Sequence, residues 1–87
     1  MLLIPASVAV PMRNKNIVGP QVRRLRNQAG LSQAGFAAEC QRNGWDISRD
    51  VVAGIEGQVR CVTDLEYVLL AKMLRVPRDH LLPKAYR

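Results

Sequence analysis

From residue 17 to residue 82, apolar positions recur at spacings of three and four with polar residues between them. That period belongs to one face of an α-helix rather than to a strand. Val22, Leu25 and Ala29 form the first stripe. Gly19 and Pro20 open this helix, where the missing proline N–H costs nothing. Gly30 closes it, as glycine does where the chain turns left-handed. Ser32 is then the N-cap of a second helix, with Gln33 on its first turn and Phe36, Ala37 and Cys40 facing inward. Arg42-Asn43-Gly44 breaks that helix, and Trp45 and Ile47 plug the joint that follows. Ser48 caps a third helix, Asp50 sits well near its positive end, and Val52 and Ile55 face inward. This helix stops near Glu56-Gly57, and residues 58–62 form a loop.

Thr63 followed three residues later by Glu66 is a capping box. Tyr67, Leu70, Ala71 and Leu74 supply the inner stripe of the fourth helix. Leu65, Val68 and Leu69 widen it beyond what one core face uses. Pro77 starts a short fifth helix carrying Leu81 and Leu82, and Pro83 stops it.

Residues 1–12 do not fit this pattern. Nine of the twelve are apolar, yet Pro5 and Pro11 forbid a helix through them. The basic residues follow the apolar stretch, the reverse of a secretory signal. Two readings stay open: an extended strand that pairs with its copy in a dimer, or an upstream extension before a natural start at Met12. The expected organisation is an arm over residues 1–16, one domain over 17–83 and a short tail over 84–87.

With 87 residues, 48 % of them hydrophobic, the chain suits one small core and not a deep enzyme cleft. Thirteen basic residues against seven acids give a net charge of +6, which points to an anionic partner, nucleic acid first. The excess is local. Residues 13–26 hold Arg13, Lys15, Arg23, Arg24 and Arg26 and no acid, whereas later residues are nearly balanced. No apolar run is long enough for a membrane span. Cys40 and Cys61 are too few for a disulfide scaffold, so two reduced cytoplasmic thiols are expected, Cys40 as a small core residue. A single histidine, His80, and no clustered Cys/His spacing argue against a metal site. Neither paired carboxylates, a Ser/His/Asp arrangement nor a phosphate loop points to an enzyme, and no cofactor is expected.

Gly30-Leu31-Ser32-Gln33, Phe36-Ala37, Ile47-Ser48-Arg49, Val52, Ile55-Glu56, Leu70-Ala71, Leu74 and Val76-Pro77 resemble the lambda-repressor/Cro-like (Xre-type) helix-turn-helix regulators. The resemblance covers residues 17–82. It implies an all-α, compact bundle of five helices whose third helix lies in the DNA major groove. One departure is plain. The family joins helices 2 and 3 by a tight turn, whereas Cys40 to Ser48 is several residues longer here. Helix 2 is expected to run a turn further, with Trp45 and Ile47 sealing the joint.

The resemblance also implies roles. Gln33 is expected to bind the DNA backbone; its alternative is a solvated helix start. Ser48, Arg49, Asp50, Ala53 and Gly54 match positions that face the DNA from helix 3. Arg49 can bridge guanine O6 and N7, and Asp50 can accept from cytosine N4. Ala53 offers a methyl and Gly54 nothing, which makes a thin set of readers. Arg26 and Glu56 match a structural ion pair, leaving Arg23, Arg24 and Arg60 as backbone contacts and Arg13 and Lys15 as a flexible basic arm. Arg23 and Arg24 can equally be a solvated face. The leading expectation is a DNA-binding regulator acting as a homodimer. The alternative is a protein-interaction module, such as an antitoxin, with a partner protein and reduced DNA binding.

Overall fold

Residues 14–87 are described by a computed structural model. The expectations for residues 1–13, including Arg13 and the arm's two readings, lie outside the described residues. Four α-helices carry the rest: α1 (Gly19–Gln28), α2 (Gln33–Arg42), α3 (Arg49–Glu56) and α4 (Asp64–Leu74). Their starts follow the caps read from the sequence. Ser32 accepts from Gly35 N–H, Ser48 from Val51 N–H, and Thr63 and Glu66 complete a capping box.

The four ends share one device. At each, a residue with positive φ turns the chain: Gly30, Gly44, Gln58 and Arg75. The N–H of the next residue then reaches back into the helix: Leu31 to Arg26 O, Trp45 to Cys40 O, Val59 to Gly54 O and Val76 to Ala71 O. This pairing satisfies carbonyls that the last helical turn leaves open. Gln58 and Arg75 adopt this geometry without being glycine, at φ 61° and 58°.

The fifth helix is not formed as an α-helix. Arg78–Leu81 is a single 3₁₀ turn, and Lys84–Tyr86 forms another where only a tail was expected. The reason lies in the prolines. Leu82 precedes Pro83 and is extended, with ψ 146°, so the segment after Pro77 ends before an α-helical turn can propagate.

Phe36, Val22, Val52, Ile55, Leu70 and Leu81 are fully buried, so all four helices and the first 3₁₀ turn meet in one core. Val18, Ala37, Cys40, Ile47 and Ala71 complete it. Leu25, Tyr67, Leu74 and Trp45 pack against it half-buried, whereas Ala29, at the end of α1, is exposed. Tyr67 also donates its hydroxyl to Arg78 O, tying α4 to the 3₁₀ turn. Among the described residues no helix is long and apolar enough to cross a membrane.

Candidate nucleic-acid interface

The joint between α2 and α3 spans residues 43–48. Its length has a structural use. Gly44 turns the chain at φ 89°, Trp45 N–H returns to Cys40 O at 2.9 Å, and Gln41 Nε2 donates to Ile47 O at 2.6 Å. Ile47 is thereby buried and Trp45 half-buried, which holds α3 firmly against α2 despite the longer connection. The helix itself stops at Arg42, where the sequence places its break.

Val52, Ile55 and Glu56 form the buried face of α3. Helical geometry puts Asp50, Ala53 and Gly54 on the opposite side. Arg49 and Asp50 are both exposed at its N-terminal end, their charged atoms 3.6 Å apart, so this exposed pair is worth little and leaves Arg49 available. Ser48 is occupied as the N-cap.

Beneath that face, three helices meet at Glu56. Arg26 Nε donates to Glu56 Oε2 at 2.6 Å and Nη2 to Oε1 at 3.0 Å, with both side chains nearly buried. Arg26 Nη1 also donates to Leu31 O at 2.7 Å and Asn27 Oδ1 at 3.1 Å. Hydrogen bonding to the carboxylate raises the Arg26 pKa further, against the opposing effect of burial. Gln33 Nε2 donates to Glu56 Oε1 at 3.1 Å. Gln33 is therefore not a loose helix-start residue. Its amide is fixed at the junction of α2 and α3, with one amide hydrogen still able to donate.

Lys15 was expected in a flexible arm, but its backbone is pinned: Lys15 N–H donates to Gln58 O at 2.9 Å. Gln58 Nε2 returns a bond to Asn16 O at 3.0 Å. Asn16 is the residue that sequence reasoning missed. Its Oδ1 accepts from Val18 and Gly19 N–H, which caps α1. Its Nδ2 donates to Ile55 O and Arg60 O, which ties that cap to the end of α3. The available signal was an Asx-turn residue two and three positions before the donors it serves.

Arg60, expected as a backbone contact, forms a double ion pair with Glu66, Nη1 to Oε1 at 3.1 Å and Nη2 to Oε2 at 2.9 Å. These bonds, with the capping-box N–H of Thr63, hold the Glu66 carboxyl below the usual carboxylate range. Arg23 and Arg24 are exposed and have no ion pair among the described residues. Of the basic side chains that the sequence singles out, Arg23, Arg24, Lys15 and, loosely, Arg49 are thus left without a strong partner among the described residues.

This arrangement of two helices packed across a joint, the second with an open outer face, defines a helix-turn-helix protein. The crystal structure of the DNA-binding domain of BldD matches it with a TM-score of 0.71 and 30 % identity, over 85 % of this chain and 100 % of that one. The S. venezulae BldD DNA-binding domain matches at a TM-score of 0.67 and 30 % identity, over 80 % of this chain and 97 % of that one. The restriction-modification controller protein C.AhdI from Aeromonas hydrophila follows at 0.64 and 29 %, over 75 % and 87 %. No protein-family model matches the chain, and no curated protein does. The chain belongs to the lambda-repressor-like, Xre-type helix-turn-helix family.

Proposed function

We propose that this protein is a sequence-specific DNA-binding transcriptional regulator that lays α3 in the major groove. The carrying observation is the open outer face of α3, led by Arg49 and set on a rigid α2–α3 joint. Two structural neighbours that are DNA-binding domains support it. In this reading Arg49 and Asp50 face base edges, Ala53 offers a methyl contact, and Ser48 sets the start of the helix. Gln33, Arg23 and Arg24 contact phosphates, which position the protein without reading sequence.

The functional unit in this reading is a homodimer, because one small module makes few contacts and family geometry reads half-sites one helical turn apart. Support comes from α4. Leu65 is 65 % exposed, and Val68 and Leu69 are half-buried on the side of the helix facing away from the core. An apolar stripe of this kind suits a second copy. The protein then acts in the cytoplasm, and represses by occupying its site.

Selection from random duplex DNA, followed by a gel shift, tests this. With about 4 phosphates per subunit, log K should fall against log salt with a slope of roughly −7 for a dimer. Arg49→Ala should weaken binding to the selected site. Absence of binding at low salt to random and selected DNA alike would defeat the reading. The exposed Leu65 also supports a second reading, an interaction module whose apolar stripe meets a different protein. Stable co-purification with a partner, with no DNA binding, would favour that one.

A further inference from the structure

Gly54 stands on the outer face of α3 and brings no side chain of its own. The space is not empty. A Cβ placed on Gly54 would lie 3.4 Å from Arg60 Cβ and 3.8 Å from Arg60 Cδ. The stem of Arg60 thus crosses α3 at a position where a helix 3 side chain would otherwise stand. Asn16 anchors the same residue from behind, since Arg60 O accepts from Asn16 Nδ2 at 2.8 Å.

The head of Arg60 is also fixed. Glu66 takes one hydrogen from each terminal nitrogen, and Cys61 O accepts from Nη1 at 3.3 Å. Glu66 cannot follow Arg60 freely, because its Oε1 also accepts from Thr63 N–H at 3.0 Å within the capping box. A guanidinium carries five N–H groups in a planar fork. Nε–H and the second hydrogen of Nη2 have no partner among the described residues. One fork is filled by a carboxylate, and the other remains. The Arg60 side chain is 38 % exposed and that of Glu66 14 %, so the arginine reaches solvent while its counter-charge is largely covered.

We infer that Arg60, laid over Gly54 and braced by Glu66, is a specificity-determining residue that reads a pair of acceptors on a base edge, guanine being the base that presents them. Neutralisation decides against a phosphate. An arginine already paired with a carboxylate brings little net charge to the backbone and releases few counterions. It keeps its planar fork, and bidentate pairing to guanine O6 and N7 needs that geometry rather than net charge. Bracing removes rotamer freedom before binding, which favours a single geometry. Arg60 therefore supplies a reader at the place where α3 supplies none. The inference rests on the DNA-binding reading above.

The test is base preference and salt slope, measured together on selected half-sites for the wild type, Arg60→Lys, Arg60→Ala and Glu66→Gln. Arg60→Lys keeps the charge but not the fork. Both Arg60 variants should lose a preference for guanine at one half-site position, by roughly 5- to 100-fold. The salt slope of Arg60→Lys, which keeps the charge opposite Glu66, should stay at the wild-type value. Glutamine at position 66 preserves the capping-box acceptor but releases Arg60. Glu66→Gln should blunt the same guanine preference and steepen the slope by about 0.9 per subunit. Thermal melting confirms that each variant is folded. A salt slope reduced by about 0.9 per subunit in Arg60→Ala, with base preference intact, would make Arg60 a phosphate contact and overturn the inference. Unchanged preference and slope would overturn it too. If the wild type binds no DNA, the underlying reading fails with it; if only the guanine preference survives the substitutions, the DNA-binding reading stands and this one falls.

Discussion

Gly19 at the start of α1 lies against the carbonyl oxygen of Ile55 near the end of α3: a Cβ on Gly19 would stand 2.3 Å from that oxygen and 2.8 Å from Glu56 O. Both obstacles are backbone, so neither can swing aside. The absence of a side chain lets Asn16 reach over the contact and donate to Ile55 O at 3.0 Å. The seam between α1 and α3 therefore depends on Gly19 for space and on Asn16 for polar satisfaction.

Gly19→Ala should destabilise the protein by about 3 kcal/mol, since overpacking a fixed site forces backbone shifts. Urea unfolding measures this. An alanine variant as stable as the wild type would mean that the seam can open, and would remove the argument that α3 is rigidly seated.

Glu56→Ala should cost more than an ordinary surface change. It leaves Arg26 charged, nearly buried and without its carboxylate, and it frees Gln33. Breaking one side of such a pair costs about 3–5 kcal/mol. Replacing both partners, Arg26→Met with Glu56→Leu, should be much milder, because no unpaired charge remains. Chemical denaturation of the single and double variants separates the penalty of an orphaned charge from the net worth of the pair.

The four α-helices were legible because their signals are local. Ser32, Ser48 and Thr63 announce three of the starts within three residues, Pro20 marks the fourth, and Gly30 and Gly44 announce two of the ends. The end of α3 at Glu56 was legible too, but the left-handed turn at Gln58 behind it was not, since it is secured from Asn16 and Lys15, more than forty residues away. The fifth helix misled because apolar Leu81 and Leu82 suggested a stripe, while the extended residue before Pro83 cut it to a 3₁₀ turn. At the candidate interface, Gln33 and the pairing of Arg26 with Glu56 followed a familiar order of motifs. The Arg60–Glu66 pair did not. Its partners are six apart across a loop, a separation with no helical periodicity to reveal it. Contacts set by tertiary approach leave no mark on sequence spacing.

Gly54→Ala should stabilise the fold. Alanine is favoured over glycine inside a helix by about 1 kcal/mol. The added Cβ would meet Arg60 Cβ at 3.4 Å and Val59 Cγ2 at 3.9 Å, ordinary van der Waals distances that leave room for it. For a domain of this size that gain raises Tm by about 4–8 °C. Calorimetry reads it directly; a lower Tm would show that the Arg60 stem cannot yield.

Acid should weaken the protein through Glu66. Its folded carboxyl is held below the usual range by Arg60 first and the capping box second. The unfolded carboxyl, near its ordinary value of about 4.3, takes up a proton sooner as pH falls. The contribution is thus fully present above about pH 4.3 and is lost as pH drops through the lower folded value. Arg60→Ala should flatten this part of the Tm-against-pH curve between about pH 5 and 3. A curve of unchanged shape would show that the pair does not govern the titration.

The two cysteines should behave as opposites. Cys40 is fully buried in the core, and Cys61 is exposed in the loop after α3. Burial first, and the nearby Glu39 charge second, push the Cys40 thiol up to about 11. A thiol reagent at about pH 8 should label one cysteine per chain in the native protein, because only an accessible thiolate reacts. The second should label only after denaturant is added. Cys61→Ser should abolish the fast reaction and leave the slow one. Alkali should also destabilise the fold through Cys40: the unfolded thiol ionises near 8.5, the folded one only near about 11. This contribution is intact below the unfolded value and declines as pH rises from there towards the folded one. Two thiols reacting rapidly at neutral pH would mean that the α2 face of the core opens readily, and the rigid α2–α3 joint would have to be abandoned.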